Sequence, residues 1–172
     1  MKEKLKKIKL ILTDVDGVLT KGEVFFDSQG VELKTWNVRD GLALSIAKRL
    51  DDLDIGLITG KTSNSVKSRA ENLGIKYVIQ GCMNKLEGWS EIKKGSGLQD
   101  DEIAYIGDDL IDIPILKLAG VSVCPLDAAP EVFSCVDIVS NIKGGYGVFR
   151  DVFRRVLEAQ GRWDGIERIF QK

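Results

Sequence analysis

Six short apolar runs, most of them rich in β-branched residues, recur along the chain, and the segments between them carry mainly helical periodicity. The runs are Ile8–Thr13 (IKLILT), Ile55–Thr59 (IGLIT), Tyr77–Ile79, Ile103–Ile106, Val121–Val123 and Ile138–Val139. Such runs read as buried strands. Between them, Leu42, Ala43, Ile46, Ala47, Leu50 and Leu53 share one helical face. Ser63 is placed to cap a helix that runs to Leu73 and stops at Gly74, and Asn84 with Glu87 has the capping-box form for a helix through Lys94. A helix over 111–119, a short one over 130–134 and one carrying Val148, Phe149, Val152, Phe153, Val156 and Leu157 complete the set. This alternation predicts an α/β fold, a doubly wound (Rossmann-like) parallel sheet with helices on both faces.

The pattern breaks once, after the first strand. Glu23–Phe26 and Val31–Trp36 are β-type runs joined by Asp27-Ser28-Gln29-Gly30, a turn signal, so a small β-hairpin spans 23–36. The tail, 161–172, carries Trp163, Ile166, Ile169 and Phe170 with no obvious core left to join. At 172 residues, 44% of them hydrophobic, the chain is long enough for one well-cored domain and too short for two, so 1–172 reads as a single domain.

Histidine is absent altogether. That excludes Ser-His-Asp and Cys-His catalysis and any His-ligated zinc or iron. With 25 basic against 26 acidic residues there is no basic field for nucleic acid or an anionic membrane. Three irregularly spaced cysteines, Cys82, Cys124 and Cys135, contain no C-x-x-C and fit a reduced, cytoplasmic setting. The basic N-terminus leads into an apolar run that ends at Asp14, too short for a leader or a span.

Carboxylates must then carry the chemistry, and they cluster at strand ends. Ligand crevices in such sheets lie beyond the carboxyl ends of the strands. Asp14, Thr59 and Asp108 stand there, with Asp16, Asp109 and Asp112 close in sequence. Converging acids repel unless a cation joins them, and oxygen-only ligation favours Mg²⁺ shared with a substrate phosphate. Asp14 is placed as nucleophile and Asp16 as general acid and base. Thr59 and Gly60 offer hydroxyl and N–H groups to phosphate oxygens, and Lys85 offers a positive charge.

These motifs, D-x-D-G-V-L-T at Asp14–Thr20, Thr59-Gly60, Lys85 and G-D-D-x-x-D at Gly107–Asp112, resemble those of the haloacid dehalogenase-like phosphohydrolases in order and in strand context. Asn37-Val38-Arg39-Asp40-Gly41, Gln80-Gly81 before Asn84-Lys85-Leu86, Ala104–Asp112, Gly144-Gly145 and the LEAQG stretch at Leu157–Gly161 narrow the resemblance to the 3-deoxy-D-manno-octulosonate 8-phosphate (KDO 8-phosphate) phosphatases. That resemblance implies an Mg²⁺-dependent homotetramer hydrolysing a phosphorylated 2-keto sugar acid on the lipopolysaccharide route. The substrate is an eight-carbon acid or, alternatively, a nine-carbon acid of the KDN or N-acetylneuraminate type. It also implies metal ligation by Asp14, the Asp16 main chain and Asp108. Substrate contacts carry over to Asp16, Asn37, Val38, Arg39, Asp40, Gly41, Gly60, Lys61, Arg69 and Lys85. Lys61 and Ser45 stand where many relatives have Arg.

Neither gap between motifs has room for a cap domain, so a neighbouring subunit is expected to close the crevice. The hairpin's Val24, Phe25, Phe26 and Trp36 supply apolar surface for that assembly. A phospho-receiver domain uses similar residues in another order, since here the second acidic pair follows Lys85. A silent phosphatase-like module would have no need of Asp16.

Overall fold

The computed structural model describes residues 1–170. Gln171 and Lys172, which close the expected domain span 1–172 and the tail 161–172, lie outside the described residues. The strands are β1 (Leu10–Thr13), β2 (Phe25–Phe26), β3 (Glu32–Leu33), β4 (Asp54–Ile58), β5 (Tyr77–Ile79), β6 (Ile103–Ile106), β7 (Val121–Cys124) and β8 (Ile138–Val139). The helices are α1 (Lys2–Lys6), α2 (Val38–Ala47), α3 (Asn64–Leu73), α4 (Lys85–Ser96), α5 (Ile113–Leu116), α6 (Val148–Ala159) and α7 (Trp163–Ile169).

Six strands form one parallel sheet in the order β5-β4-β1-β6-β7-β8. β1 is central, with Leu12 opposite Gly56 of β4 on one side and Tyr105 of β6 on the other. Side chains alternate across the sheet. Leu10, Leu12, Ile103 and Tyr105 pack with Trp89 and Ile92 of α4 and with Ile115 and Leu116 of α5. Ile11, Leu57, Ala104 and Ile106 join the opposite cluster with α2, α3, α6 and α7. All six expected face residues of α6 are buried there. Both faces are therefore apolar, which is why the strands read as continuous rather than alternating runs.

β2 and β3 form a separate antiparallel ribbon inside the expected hairpin, much shorter than 23–36. Asp27 shapes its turn by accepting hydrogen bonds from the N–H groups of Gln29 (2.8 Å) and Val31 (2.9 Å). Between β1 and β4 the chain holds only this ribbon and α2.

Four local expectations need correction. α2 starts at Val38, ahead of its apolar face, because Asn37 caps it, and it ends before Leu50 and Leu53. Asn84 makes no capping box; its amide donates to the Glu87 carboxylate instead. The expected helix over 111–119 is a 3₁₀ turn (Leu110–Asp112) followed by the single turn of α5, with Pro114 at its start. The tail does join the core: Trp163 and Ile166 of α7 are buried, and Trp163 meets Phe153 edge-on. The basic N-terminus forms α1 and buries Leu5. Among the described residues no helix is long and apolar enough to cross a membrane, and the three cysteines are unpaired.

Candidate active site

Because β4, β1 and β6 are neighbours, the turns leaving their carboxyl ends open side by side. Asp14 follows β1 directly, Thr59 follows β4, and Asp108 comes two residues after β6. Lys85 begins α4, yet its side chain is fully buried. Its ammonium lies 2.7 Å from Asp14 Oδ2 and 2.5 Å from Asp112 Oδ1. The Tyr105 hydroxyl donates to the same Asp112 oxygen at 2.5 Å. The other Asp112 oxygen accepts the main-chain N–H groups of Asp108 (3.0 Å) and Asp109 (3.1 Å).

Three carboxylates thus share one ammonium, and the arrangement carries surplus negative charge. Burial pushes the Asp108 carboxyl up to about 8, with Asp14 and Asp112 adding to the rise. Burial also pushes Asp14 up to about 6, although Lys85 pulls it down. For Lys85, burial opposes the charged form, but Asp14 and Asp112 outweigh it and the pKa is raised. Burial and then Asp112 hold Tyr105 well above the ordinary phenol range, so it stays a hydrogen-bond donor.

One oxygen each of Asp14, Asp108 and Asp112 lie within 4.8 Å of one another. Asp108 Oδ1 is buried with no hydrogen-bond partner. An orphaned oxygen amid surplus charge, with oxygen-only donors, fits a small hard divalent cation. Both Asp112 oxygens are already engaged within the protein. Asp108 thus brings the one partnerless oxygen, Asp14 stands beside it with its oxygens accepting from Lys85 and the Val15 N–H (2.6 Å), and Asp112 orients the Asp108 turn and Lys85.

The Asp14 turn depends on close backbone approach. Gly17 has φ 83°, and a Cβ there would fall 1.9 Å from Asp108 Oδ2. A Cβ on Gly144 would fall 1.9 Å from the Gly17 carbonyl oxygen. Gly145 donates its N–H to the Val18 carbonyl at 2.8 Å, so the glycine-rich loop before α6 braces this turn.

Asp16 stands at the rim, partly exposed. Its Oδ1 accepts from Lys34 Nζ at 2.5 Å and, weakly, from the Thr20 hydroxyl at 3.4 Å. Thr59 is buried; its N–H donates to the Ile79 carbonyl and its carbonyl accepts from Cys82. Gly60 lies against Met83, whose sulfur a Cβ would meet at 2.9 Å. Lys61 is exposed, 4.0 Å from Glu32.

The Asn37–Gly41 stretch is the first turn of α2 and its cap rather than a free loop. Asn37 accepts from the Arg39 N–H at 2.8 Å and donates to the Gly145 carbonyl at 2.9 Å. Val38 and Arg39 are exposed. Asp40 is buried and accepts the Arg150 N–H at 2.9 Å, capping α6. Gly41 leaves room for the Arg69 guanidinium, whose terminal nitrogen would come within 2.6 Å of a Cβ; Arg69 Nε is buried without a partner.

Two polar residues of the site had no functional signal when taken singly. Tyr105 sits inside an apolar strand run and reads as core. Lys34, one residue past β3, reads as a solvent-facing ribbon residue, yet it turns back to pair with Glu32 at 2.7 Å.

Residues 45–150 match the model of the haloacid dehalogenase-like hydrolase family. That span includes Thr59, Lys85, Asp108 and Asp112, while Asp14 precedes it. The chain is 39% identical over 161 residues to the 3-deoxy-D-manno-octulosonate 8-phosphate phosphatase KdsC of Escherichia coli K12, covering 94% of this chain and 85% of that protein. A crystal structure of 3-deoxy-D-manno-octulosonate 8-phosphate phosphatase from Moraxella catarrhalis, in complex with a magnesium ion, a phosphate ion and KDO, superposes with a TM-score of 0.94. That match is 35% identical and covers 98% of this chain and 97% of the other. The cobalt-bound Haemophilus influenzae enzyme matches with a TM-score of 0.88 at 36% identity, covering 93% of each chain. With the motifs, their strand-end placement and relatives matched over nearly the whole length, this chain belongs to the haloacid dehalogenase-like hydrolases.

Proposed function

We propose that this chain is a Mg²⁺-dependent phosphomonoesterase that hydrolyses 3-deoxy-D-manno-octulosonate 8-phosphate to KDO and inorganic phosphate, in the cytoplasm, on the route to lipopolysaccharide. The observation that carries the reading is the buried Asp14–Lys85–Asp112 chain beside the partnerless Asp108 oxygen. It presents a nucleophile, a fixed positive charge and a cation seat at one strand-end crevice. The names of the relatives supply the substrate.

In the first step an Asp14 oxygen attacks phosphorus. The bond from phosphorus to the ester oxygen breaks, its electron pair passes to that oxygen, and Asp16 delivers a proton to the departing alkoxide. In the second step Asp16 takes a proton from water as the water oxygen attacks phosphorus. The phosphorus–Asp14 bond breaks, restoring the carboxylate and releasing phosphate. Lys85 stays charged throughout and neutralises the phosphoryl oxygens, joined by the Thr59 hydroxyl and the N–H groups around Gly60. A Mg²⁺ ion held by Asp14, Asp108 and the Asp16 carbonyl would add positive charge at those same oxygens when bound. Asn37 to Gly41, Lys61 and Arg69 lie on the elements around the crevice and would contact the sugar acid.

No cap domain covers the crevice in this reading. Assembly into a homotetramer through the β2–β3 ribbons, where Val24, Phe25, Phe26, Val31 and Leu33 are exposed, would cover it with neighbouring subunits.

The test is phosphate release from KDO 8-phosphate, KDN 9-phosphate and N-acetylneuraminate 9-phosphate, with Mg²⁺ or with EDTA. Release from KDO 8-phosphate only with Mg²⁺, and its loss in Asp14→Ala, is the expected result. No release from any substrate, or full activity in Asp14→Ala, overturns the mechanism, and preference for a nine-carbon acid moves the specificity there. A monomer in sedimentation at micromolar concentration overturns the assembly.

A further inference from the structure

Lys34 is the most deeply buried charge on the outer ribbon. Its side chain is 5% exposed, although β2 and β3 around it are largely open to solvent. A lysine is taken out of water only with partners, and Lys34 has two: Asp16 Oδ1 at 2.5 Å and Glu32 Oε1 at 2.7 Å. Burial works against its charge, but the hydrogen bonds it donates to these two acids, with their negative charge, outweigh it and the pKa is raised. Glu32 reaches on towards Lys61, 4.0 Å away on the turn after β4. The ribbon thus links the turns after β1 and β4 by a line of alternating charges, Asp16, Lys34, Glu32 and Lys61.

Asp16 needs such a tether. It stands on an irregular turn at the rim, and among the described residues its side chain has, besides Lys34, only the 3.4 Å hydrogen bond from Thr20, on the same oxygen. A carboxylate on a freely rotating side chain spends little time aimed at one ester oxygen, and orientation is a large part of general acid catalysis. With Oδ1 engaged by Lys34, Oδ2 is left to exchange the proton.

We propose that Lys34 is a positioning residue for the phosphatase reaction, holding the Asp16 carboxylate by one oxygen so that the other serves the leaving group, with Glu32 holding Lys34 in turn. This rests on the assignment of Asp16 as the proton-transferring group. Lys34 makes and breaks no bond. The proton still passes from Asp16 to the departing alkoxide and returns to Asp16 from water.

The experiment separates positioning from support of the ribbon by varying the leaving group. A sugar phosphate expels a basic alkoxide that needs a proton, whereas p-nitrophenyl phosphate expels a stable phenolate that does not. Wild type, Lys34→Met, Lys34→Arg, Glu32→Gln, Asp16→Asn and the Asp16→Asn/Lys34→Met double variant are assayed on both substrates with Mg²⁺. Folding is checked by circular dichroism and thermal midpoint. Because the second step is common to both substrates and also uses Asp16, the comparison is made on kcat/KM, which reads only the step that expels the leaving group: Lys34→Met should lower kcat/KM on the sugar phosphate about tenfold or more, with kcat/KM on p-nitrophenyl phosphate within about twofold of wild type. Lys34→Arg should restore part of the loss, Glu32→Gln should show a smaller loss of the same kind, and the double variant should be no slower than Asp16→Asn. Equal losses of kcat/KM on both substrates, a change in KM with kcat unaltered, or additive losses in the double variant overturn the proposal for Lys34 and leave Asp16 in its role. Full sugar-phosphatase activity in Asp16→Asn overturns the role of Asp16 and the Lys34 proposal with it. If Lys34→Met fails to fold, Glu32→Gln and Lys34→Arg decide by the same leaving-group comparison.

Discussion

Lys85 and Asp112 meet at 2.5 Å with both side chains closed off from solvent, and Asp112 turns its second oxygen to the main chain of Asp108 and Asp109. One carboxylate therefore fixes the active-site ammonium and the acidic turn together. In Asp112→Asn a single amide oxygen cannot serve both sides, and its NH₂ group would face donors. The expected outcome is a fall in kcat of roughly 10- to 100-fold with secondary structure retained, measured by steady-state kinetics beside circular dichroism. Tyr105→Phe removes one donor and leaves the ion pair, so its effect should be smaller.

Removing the charge of Asp108 separates metal binding from folding. Its carboxyl is pushed up to about 8 by burial beside Asp14 and Asp112, so the metal-free protein carries a repulsion that an ion would relieve. Asp108→Asn should raise the thermal midpoint in EDTA, abolish the stabilisation that Mg²⁺ gives wild type, and cut activity at least about 100-fold. Differential scanning fluorimetry with a Mg²⁺ titration checks the first two outcomes.

Glycines at two positions should respond in opposite ways. Gly17 has φ 83° and no room for a methyl beside Asp108, so Gly17→Ala should lose most activity and about 1–3 kcal/mol of stability. Gly165 lies within α7 with nothing within 4 Å of a Cβ. Gly165→Ala should leave activity intact and add about 0.5–1 kcal/mol, read from urea midpoints.

Asp40 carries a pH dependence of its own. Burial pushes its carboxyl from the ordinary 3.8 up to about 6, against the N–H groups of Arg150 and Gly147 and the Arg150 charge. Between those values the folded protein holds a proton that the unfolded chain has lost. Stability from this group is complete below about pH 4 and is lost as pH rises through about 6, on the order of 2–3 kcal/mol. Asp40→Asn should flatten the urea stability curve over that interval relative to wild type, both in EDTA. Asp14 and Asp108 titrate in both proteins, so the difference isolates Asp40.

The sheet was legible because each of its strands is apolar on both faces, which needs no tertiary information. The nucleophile and acidic turn were legible because strand-end position alone brings Asp14 and Asp108 near one another, and the ammonium because Lys85 opens the helix that follows β5. The part of Asp40 as cap of α6 was not legible: only the packing of α6 across α2 reveals it. The tail misled for a related reason. Trp163 and Ile166 look surplus along the sequence, and the groove that receives them exists only once α2 and α6 are side by side. Lys34 escaped because a single lysine on a ribbon has no periodicity to mark which neighbour it will reach.

The contact of Gly17 with Gly144 and Gly145 bears on when the enzyme becomes competent during synthesis. The turn that carries Asp14 and Asp16 is made long before the loop that props it, Gly144 and Gly145, and β1 lacks its β6 partner until Ile103–Ile106 have followed. A ribosome-bound fragment stopped before Gly144 would hold every acid of the site and still lack the brace that sets their spacing. Catalytic competence should therefore arrive abruptly, once the glycine loop is free to fold back on the turn, rather than grow in proportion to the length made.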